Sequence, residues 1–562
     1  MNTRQLLSKQ NILFFILSIW MSTFPCILYF FDKYTSSSVS QKIVLLSIVI
    51  GCLFFCIAFF LKTKIIPIAI AFIIIIPSLI LISSFLISGG LFKRSDYDVI
   101  FATNLGEANE FVVSFFNYKF LLLISIYIIP VLYMLVMLFK LEKPSLSIIK
   151  KSIMTIIIIL FVLFIVKGSG KKIGNKYYVI DFYKSYLAFI NNDKYNQWIK
   201  KKNKLNYDYI VKSDLKIKGT KTFVVIIGES LSKSHMQLYG YSRETNPLLF
   251  TIRNDLFIFH DVISPAVTTI DALMYALTFA KYGNTEPFFE KPSIINLFNS
   301  AGYKTIWISN QCLQGNRNNI THGVLAQECQ QVYDDNDLTD QIVLKRLSDV
   351  INNHNHKDTF IVIHLKGSHT KYSMRYPESF NYFNHSKIPI PYENNYLNER
   401  NKQIIDEYDN SVRFNDYIVT SIIEMIKNKN DYSWIIYFSD HGEELFEFRD
   451  MFGHNRKNFS RYMCEVPFIV WVSDKYRLMN KDFFQCFNQY VKRPYSTENL
   501  IHSISDLSML RYKDFDASLS LFSKYYKENT RKVYNTSYIE IPPIQYTRSF
   551  EKNPKVVTNS IQ

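Results

Sequence analysis

The feature that most constrains this chain is a series of long apolar segments in its first third. Ile12 to Phe31, Ile43 to Leu61 and Ile65 to Ile87 are each close to or above the ~20 apolar residues that a helix needs to cross a bilayer. Phe120 to Phe139 and the shorter Ser152 to Val166 follow them. The first segment is long for a signal peptide and lacks an obvious small-residue cleavage site. The sequence therefore predicts a membrane domain of five transmembrane helices over residues 1–167.

Lysine and arginine in the short loops predict the orientation of these helices. Arg4 and Lys9 precede the first segment, Lys62 and Lys64 separate the second from the third, and four lysines between positions 140 and 151 separate the last two. Cytoplasmic loops carry an excess of these residues, so we expect everything after about Gly168 to lie outside, in a periplasm. The net charge of +16 then suits an anionic lipid surface. No nucleic-acid motif or long basic tract accompanies it.

Two polar stretches border the predicted membrane domain. The external loop contains Thr103, Asn104 and Glu107, which fit either a capped interfacial helix or a surface that binds lipid headgroups. Residues 168–218 are rich in Tyr, Lys and Asn, a composition typical of an interfacial bridging segment or of a linker with one aromatic face.

From Thr222 onward the pattern alternates between apolar strands and helical segments. Strands are predicted at Thr222 to Ile227, Thr305 to Ile308, Thr359 to Leu365, Trp434 to Phe438 and Pro467 to Val472, with helices that include Ser293 to Ala301 and Ile404 to Lys427. This alternation predicts an α/β domain with a mostly parallel sheet over residues 219–515. Residues 516–562 are expected to be a C-terminal tail.

Acidic and imidazole side chains directly follow two of these strands. Glu229 comes after Thr222 to Ile227, and Asp440 and His441 come after Trp434 to Phe438. A single acid at such a position is typically a helix cap. Two strand ends at one sheet edge instead favour a metal centre with an open position for catalysis.

Thr268 and Thr269 precede the helix-like Ala272 to Ala280 and supply a candidate nucleophile. A threonine at a helix N-terminus lies at the positive end of the helix dipole, which favours an alkoxide and a bound phosphate. The alternative is that either residue is a simple N-cap, and the residues taken in isolation favour that interpretation.

Several motifs together resemble the phosphoethanolamine transferases. These are Gly228-Glu229-Ser230, Tyr239 to Pro247 (YGYSRETNP), Ala276 to Ala280 (ALTFA) and Ser439 to Glu443 (SDHGE). The family combines five membrane helices with an alkaline-phosphatase/sulfatase-like periplasmic domain. Thr269-Ile270-Asp271 with the following helix is most similar to the subgroup that modifies the lipopolysaccharide core. The Cys-Gly and Pro-Cys pairs of the lipid A-modifying branch are absent around Thr269.

The resemblance implies a role for individual residues. Glu229, Thr269, Asp440 and His441 would bind a catalytic Zn²⁺, with Thr269 as the nucleophile rather than Thr268. His369 and His454 match family histidines that hold the donor phosphate or a second zinc, and His364 would lie behind them. Thr103, Asn104 and Glu107 match an external-loop motif that faces the active site.

The implied activity is transfer of phosphoethanolamine from phosphatidylethanolamine to a lipopolysaccharide or related glycan at the inner membrane, through a phospho-threonine intermediate. A phosphoglycerol transferase of the same architecture and an inactive surface-assembly protein remain alternatives. No Cys/Ser-x-Pro-x-Arg segment supplies the modified nucleophile of a true sulfatase. A disulfide between Cys312 and Cys329 is the pairing expected if any forms.

Overall fold

The structure, a computed structural model, divides into two compact units, Met1–Asp193 and Lys194–Gln562. It describes residues 9–32, 35–61, 63–93, 96–97, 100, 118–140, 175–190, 202, 209–215, 217–313, 321–353, 358–534 and 538–542.

The first unit is helical. Four of its segments, Lys9–Phe30, Ser37–Phe60, Ile65–Ile87 and Phe120–Lys140, are long and apolar enough to cross a membrane, as predicted. Its helices are α1 (Lys9–Thr23), α2 (Ser37–Phe60), α3 (Ile65–Ser88), α4 (Tyr118–Lys140) and α5 (Tyr178–Ile190). The fifth predicted span, Ser152 to Val166, lies outside the described residues.

Small and hydroxyl side chains allow α1 and α2 to pack closely. A Cβ atom on Gly51 would lie 2.6 Å from Cα of Ile19, so only glycine permits this approach of the two backbones. The Ser22 hydroxyl donates to the Ser47 carbonyl at 2.8 Å. Elsewhere in this unit, the hydroxyls of Ser78 on α3 and Tyr178 on α5 lie 2.8 Å apart. The tyrosine-rich helix α5 therefore packs on α3.

The second unit is an α/β domain. Its strands are β1 (Lys212–Ser213), β2 (Lys221–Gly228), β3 (Leu256–Phe259), β4 (Val262–Ile263), β5 (Lys304–Ser309), β6 (Gln331–Asp334), β7 (Thr359–His364), β8 (Tyr432–Ser439), β9 (Glu444–Leu445), β10 (Phe452–Gly453), β11 (Phe468–Val472), β12 (Tyr495–Ser496), β13 (Leu510–Arg511), β14 (Lys532–Tyr534) and β15 (Tyr538–Glu540). Its helices are α6 (Pro247–Thr251), α7 (Thr269–Leu277), α8 (Glu286–Glu290), α9 (Ile294–Ser300), α10 (Thr321–Ala326), α11 (Gln341–Asn353), α12 (Glu399–Lys429), α13 (Asp474–Met479), α14 (Lys481–Phe484), α15 (Phe487–Tyr490) and α16 (Leu500–Leu507).

Seven strands form one sheet in the order β3-β11-β8-β2-β7-β5-β6. Strands β8, β2, β7, β5 and β6 pair in parallel, whereas β11 runs antiparallel to both of its neighbours, β8 and β3. The prediction of a mostly parallel sheet is therefore confirmed. Strand β2 is central because its apolar side chains serve both faces: Phe223, Val225 and Ile227 enter one core, while Val224 and Ile226 enter the other.

The longest helix, α12, covers one face of this sheet and extends further than the predicted Ile404 to Lys427. Asn398 caps its start by accepting a hydrogen bond from the backbone N–H of Asn401, and Asn430 ends it in a left-handed conformation with φ 59°. Its buried side includes Val412, Ile418 and Ile422. The same side carries Tyr408, whose hydroxyl contacts Ser230 and Ser232 directly after β2 and Glu229.

Part of the segment expected to be a C-terminal tail packs on the α/β unit. Strands β14 and β15 pair with each other, and Arg531 donates to Asp261 Oδ1 at 2.6 Å in a buried ion pair. The predicted disulfide is wrong, because no bond joins Cys312 to Cys329. Cys329 instead packs at the edge of the larger apolar core, where burial raises the pKa of its thiol.

Candidate metal centre and active site

Three adjacent strands end at the edge of the sheet where the site forms. Strand β2 pairs with β8 as far as Gly228 opposite Ser439, and with β7 as far as Ile227 opposite His364. Glu229 and Asp440 are therefore the next residues on neighbouring strands. The parallel register brings together side chains that are more than 200 positions apart in the sequence.

Glu229, Asp440 and His441 form a buried cluster at this edge. One ligand atom from each lies within 4.8 Å of the others. His441 Nε2 is 3.4 Å from Glu229 Oε1 and 3.4 Å from Asp440 Oδ2. Within the described part of the chain, neither His441 Nε2 nor Asp440 Oδ2 has a hydrogen-bond partner. The site thus contains two carboxylates and an imidazole, with buried atoms that face one another without a hydrogen bond. This arrangement fits a divalent cation.

The charges of the two carboxylates support this interpretation. Burial and then the charge of Glu229 raise the pKa of Asp440 well above its ordinary value. Burial opposes ionisation of Glu229 as well, but His441, His369 and a hydrogen bond from Gln311 together lower the pKa of Glu229. Two buried acids side by side repel each other when both are ionised. A bound cation would remove that repulsion.

The backbone after β2 is fixed in a strained turn that orients the cluster. Ser230 has φ 59°, an uncommon conformation for a residue with a side chain. Its N–H donates to Asp440 Oδ1 at 3.1 Å, and its hydroxyl donates to Glu229 Oε1 at 2.7 Å. The Tyr408 hydroxyl on α12 donates to the Ser230 carbonyl and accepts from the Ser232 N–H, both at 2.8 Å. Helix α12 therefore supports the turn from behind.

The two threonines face different partners. Thr269, the first residue of α7, donates its hydroxyl to Glu229 Oε2 at 3.1 Å. Thr268 precedes the helix, and its hydroxyl donates to Asp271 Oδ2 at 3.0 Å and accepts from Arg456 at 2.8 Å. The structure therefore brings Thr269, and not Thr268, to the carboxylate cluster.

Two further predicted histidines lie beside the cluster. The ring of His454 packs against that of His441 with a centroid distance of 4.0 Å. Its Nδ1 lies 3.1 Å from Oε1 of the buried Glu443. His369 follows β7 on a half-buried loop, directly after Ser368, whose N–H donates to the Glu229 carbonyl at 3.0 Å. His454 and His369 thus approach the cluster from two different loops.

His364 lies one layer behind the cluster, as expected from its place in β7. Its ring is fully buried and contacts that of His322 at a centroid distance of 5.2 Å. Burial lowers the pKa of His364 to about 3 and that of His322 to about 4, so both imidazoles stay neutral. Thr103, Asn104 and Glu107 lie outside the described residues.

Several residues of the site were missed from the sequence. Gln311 donates its amide to Glu229 Oε2 at 2.9 Å and to the Leu365 carbonyl at 2.8 Å. It follows the predicted strand at Thr305 to Ile308, so the rule that ligands gather at strand ends could have found it. Tyr408 carries no such signal, because it lies far in sequence from Ser230 and Ser232, which it contacts.

A mostly parallel α/β sheet, a buried cluster of carboxylates and an imidazole at its edge, and a threonine facing that cluster define a sulfatase-like α/β protein with a candidate metal site. The chain belongs to the sulfatase family, whose sequence model matches residues 221–509.

Among curated proteins, it is similar to the phosphoethanolamine transferase EptC of Escherichia coli (strain K12), with 36% identity over 326 residues, 56% of this chain and 55% of the relative. The chain thus spans about half the length of this relative. The predicted resemblance to the phosphoethanolamine transferases is confirmed.

Solved structures support the fold of both units. The crystal structure of the C-terminal periplasmic domain of EptC from Escherichia coli in complex with Zn is 33% identical, with a TM-score of 0.55, and covers 59% of this chain and 95% of that chain. The integral membrane protein lipooligosaccharide phosphoethanolamine transferase A from Neisseria meningitidis is 18% identical, with a TM-score of 0.63, and covers 91% of this chain and 98% of that chain. The predicted fold class, a helical membrane domain followed by a sulfatase-like α/β domain, is confirmed.

Proposed function

We propose that this protein transfers phosphoethanolamine from phosphatidylethanolamine to a lipopolysaccharide or related surface glycan, through a covalent intermediate on Thr269. The observation that carries the proposal is the Thr269 hydroxyl, which lies 3.1 Å from Glu229 Oε2 in a buried cluster that fits a cation. Similarity to EptC, a phosphoethanolamine transferase, supports phosphoethanolamine as the transferred group. The membrane-capable helices suit a reaction between two lipid-anchored substrates, in the inner membrane with the α/β domain in the periplasm.

The metal of this site is proposed to be zinc, held by Glu229, Asp440, His441 and the Thr269 hydroxyl. Three carboxylate or imidazole ligands and a position open to chemistry form a donor set typical of catalytic zinc. The related EptC domain was crystallised with zinc. When bound, zinc would lower the pKa of a hydroxyl and offset the charge on phosphoryl oxygens.

The reaction would take place in two displacements at phosphorus. Thr269 Oγ1 gives up its proton and attacks the donor phosphorus, the bond from phosphorus to the diacylglycerol oxygen breaks, and that oxygen takes up the proton. The N-terminus of α7 lies at the attacking residue and favours the negative charge of the phosphoryl group. A hydroxyl of the acceptor sugar then attacks phosphorus, and the bond to Thr269 Oγ1 breaks. His369 and His454 assist the leaving group and the incoming hydroxyl.

Reconstitution of the full-length protein in lipid vesicles tests this function. Headgroup-labelled phosphatidylethanolamine and phosphatidylglycerol are supplied separately, with lipopolysaccharide as the acceptor, and label in the acceptor is measured by mass spectrometry. We expect transfer from phosphatidylethanolamine, and loss of that transfer in a Thr269→Ala variant. Transfer from phosphatidylglycerol alone would indicate a phosphoglycerol transferase instead. A zinc-loaded protein that turns over neither lipid would indicate a surface-assembly role.

A further inference from the structure

Glu443 is a buried carboxylate next to the site, and the reaction as described leaves it without a role. It follows Asp440 and His441 in the loop after β8, and its side chain has no exposed surface. One oxygen, Oε1, lies 3.1 Å from Nδ1 of His454. The other oxygen, Oε2, accepts a hydrogen bond from the hydroxyl of Tyr372. Each oxygen of the carboxylate therefore has one defined partner.

Tyr372 fixes the carboxylate from the opposite side. It lies in a short helical turn three residues after His369, and its ring is buried against that of Tyr408 at a centroid distance of 5.0 Å. Burial and then the charge of Glu443 raise the pKa of Tyr372 well above its ordinary value. The phenol therefore keeps its proton and acts as the donor to Glu443. The chain of contacts runs from Tyr372 through Glu443 to His454.

We propose that Glu443, itself held by Tyr372, is a positioning residue that fixes the ring orientation and the tautomer of His454. A carboxylate facing Nδ1 places the ring proton there and leaves the lone pair on Nε2. The inference rests on the proposed transferase function. In the second displacement, His454 Nε2 accepts the proton of the acceptor hydroxyl as its oxygen bonds to phosphorus. The same proton is then returned to Thr269 Oγ1 as its bond to phosphorus breaks.

The adjacent Glu444 provides a matched control. It is also a buried glutamate and begins strand β9, but its carboxylate receives two hydrogen bonds from Arg449, at 2.6 and 2.7 Å, and forms no hydrogen bond or ion pair with a histidine among the described residues. A substitution there removes the same charge from the neighbouring position. Any effect specific to Glu443 must therefore arise from its contacts with His454 and Tyr372.

The test compares Glu443→Gln, Tyr372→Phe and Glu444→Gln in the full-length protein in lipid vesicles. Zinc content, the amount of phosphoethanolamine on Thr269, and kcat and KM for the lipopolysaccharide acceptor are measured for each. We expect Glu443→Gln to retain zinc and to lower kcat by roughly 10- to 100-fold with little change in KM, because a misdirected base slows chemistry rather than binding. Tyr372→Phe should show a smaller loss, and Glu444→Gln should match wild type.

A double-mutant cycle separates positioning from a general structural role. If Glu443 acts through His454, then Glu443→Gln should cause no further loss of kcat in a His454→Ala background. An equal loss in both backgrounds would overturn the proposal, as would a Glu443→Gln variant with the kcat of Glu444→Gln. If Glu443→Gln fails to retain zinc, the Tyr372→Phe variant provides the test instead. A Tyr372→Phe protein that binds zinc and has the kcat of wild type would overturn the proposal. Wild-type protein that never carries phosphoethanolamine on Thr269 would instead contradict the proposed function.

Discussion

At the level of single residues, the buried charges of two carboxylates are the main feature of the site. Glu229 and Asp440 are both buried, and burial is the largest single influence on the pKa of each. A lone buried carboxylate would be expected to bind a proton. A cation bound between these carboxylates and His441, which lies 3.4 Å from an oxygen of each, would offset the charge that burial disfavours.

The Asp440→Asn substitution tests the metal centre directly. An amide is a poor ligand compared with a carboxylate, so the variant should lose most of its zinc and its transferase activity. Metal content of the purified full-length protein checks the first effect, and label transfer checks the second. Glu444→Gln, which changes a buried carboxylate outside the cluster, should keep both. An Asp440→Asn protein with full zinc content would show that the metal lies elsewhere.

The Gly367→Ala substitution tests how closely the loop after β7 must approach Glu229. Gly367 has φ 52°, and an added Cβ would lie 2.7 Å from the Glu229 carbonyl oxygen. Gly302 also has a left-handed conformation, with φ 84°, but open space surrounds its Cβ position. Both substitutions should cost roughly 1–2 kcal/mol of backbone strain, whereas only Gly367→Ala should also lower zinc affinity. Equal zinc affinities in the two variants, measured by competition with a chelator, would refute this.

The sequence was sufficient for some residues of the site and insufficient for others. Glu229 and Asp440 could be predicted because parallel strands end at one edge, and that rule needs no atomic detail. Thr269 could not be separated from Thr268 by the residues alone, because both flank a helix start and only side-chain direction distinguishes them. The pairing of Glu443 with His454 depends on the path of the intervening loop. No periodic pattern encodes that path.

At the scale of elements, the YGYSRETNP segment is tied to α12 by a buried charged network. Arg243 donates to Asp409 Oδ2 at 2.7 Å and to Asp406 Oδ1 at 2.8 Å. Tyr241 donates to the same Asp409 oxygen at 2.9 Å. His235 Nδ1 lies 2.7 Å from Asp409 Oδ1. This motif therefore contributes to the packing of the turn after β2 rather than to the chemistry itself.

The network predicts a specific dependence of stability on pH. Burial opposes protonation of His235, but Asp409 and then Glu447 raise its pKa from 6.5 to about 9. A group whose pKa is higher in the folded state contributes stability that is fully present below pH 6.5 and is lost as the pH rises to about 9. Thermal unfolding of the full-length protein should therefore show a falling Tm over this range. His235→Gln should flatten that slope, and parallel curves for the two proteins would contradict the assignment.

The positions of the strands were more predictable from the sequence than the direction of each strand or the path of the segments that connect them. The predicted strand at Trp434 to Phe438 lies inside β8, where successive side chains are buried alternately in the two apolar cores. The predicted Pro467 to Val472 became β11, but its antiparallel direction could not be predicted. Strand direction follows from the loops that connect the strands. The loop from β8 to β11 carries the site residues His441, Glu443 and His454.

Within the α/β unit as a whole, a buried ion pair and an apolar cluster that includes Val533 and Ile541 hold the C-terminal segment. Arg531 donates to Asp261 Oδ1 at 2.6 Å and to the Pro542 carbonyl at 2.9 Å, and both charged side chains are almost fully buried. Asp261 lies between β3 and β4, far from Arg531 in the sequence. The pair therefore joins the β14–β15 hairpin to the body of the domain.

Removal of this arginine should destabilise the domain without affecting the chemistry. Arg531→Ala leaves a buried, uncompensated carboxylate, which costs about 3–5 kcal/mol. Lys427→Ala breaks the exposed pair with Asp255, at 3.8 Å, and should cost at most ~1 kcal/mol. Urea denaturation monitored by tryptophan fluorescence compares the two. Similar midpoints for both variants would show that the hairpin is not anchored as described.

The covalent state of Thr269 tests the proposed mechanism most directly. Full-length protein is incubated with phosphatidylethanolamine in the absence of acceptor, and its intact mass and peptide map are recorded. We expect one added phosphoethanolamine, located on Thr269 in wild type and in Thr268→Ala, and absent from Thr269→Ala. Lipopolysaccharide should then remove the group. A phosphoethanolamine found on Thr268, or one retained in Thr269→Ala, would show that Thr269 is not the nucleophile.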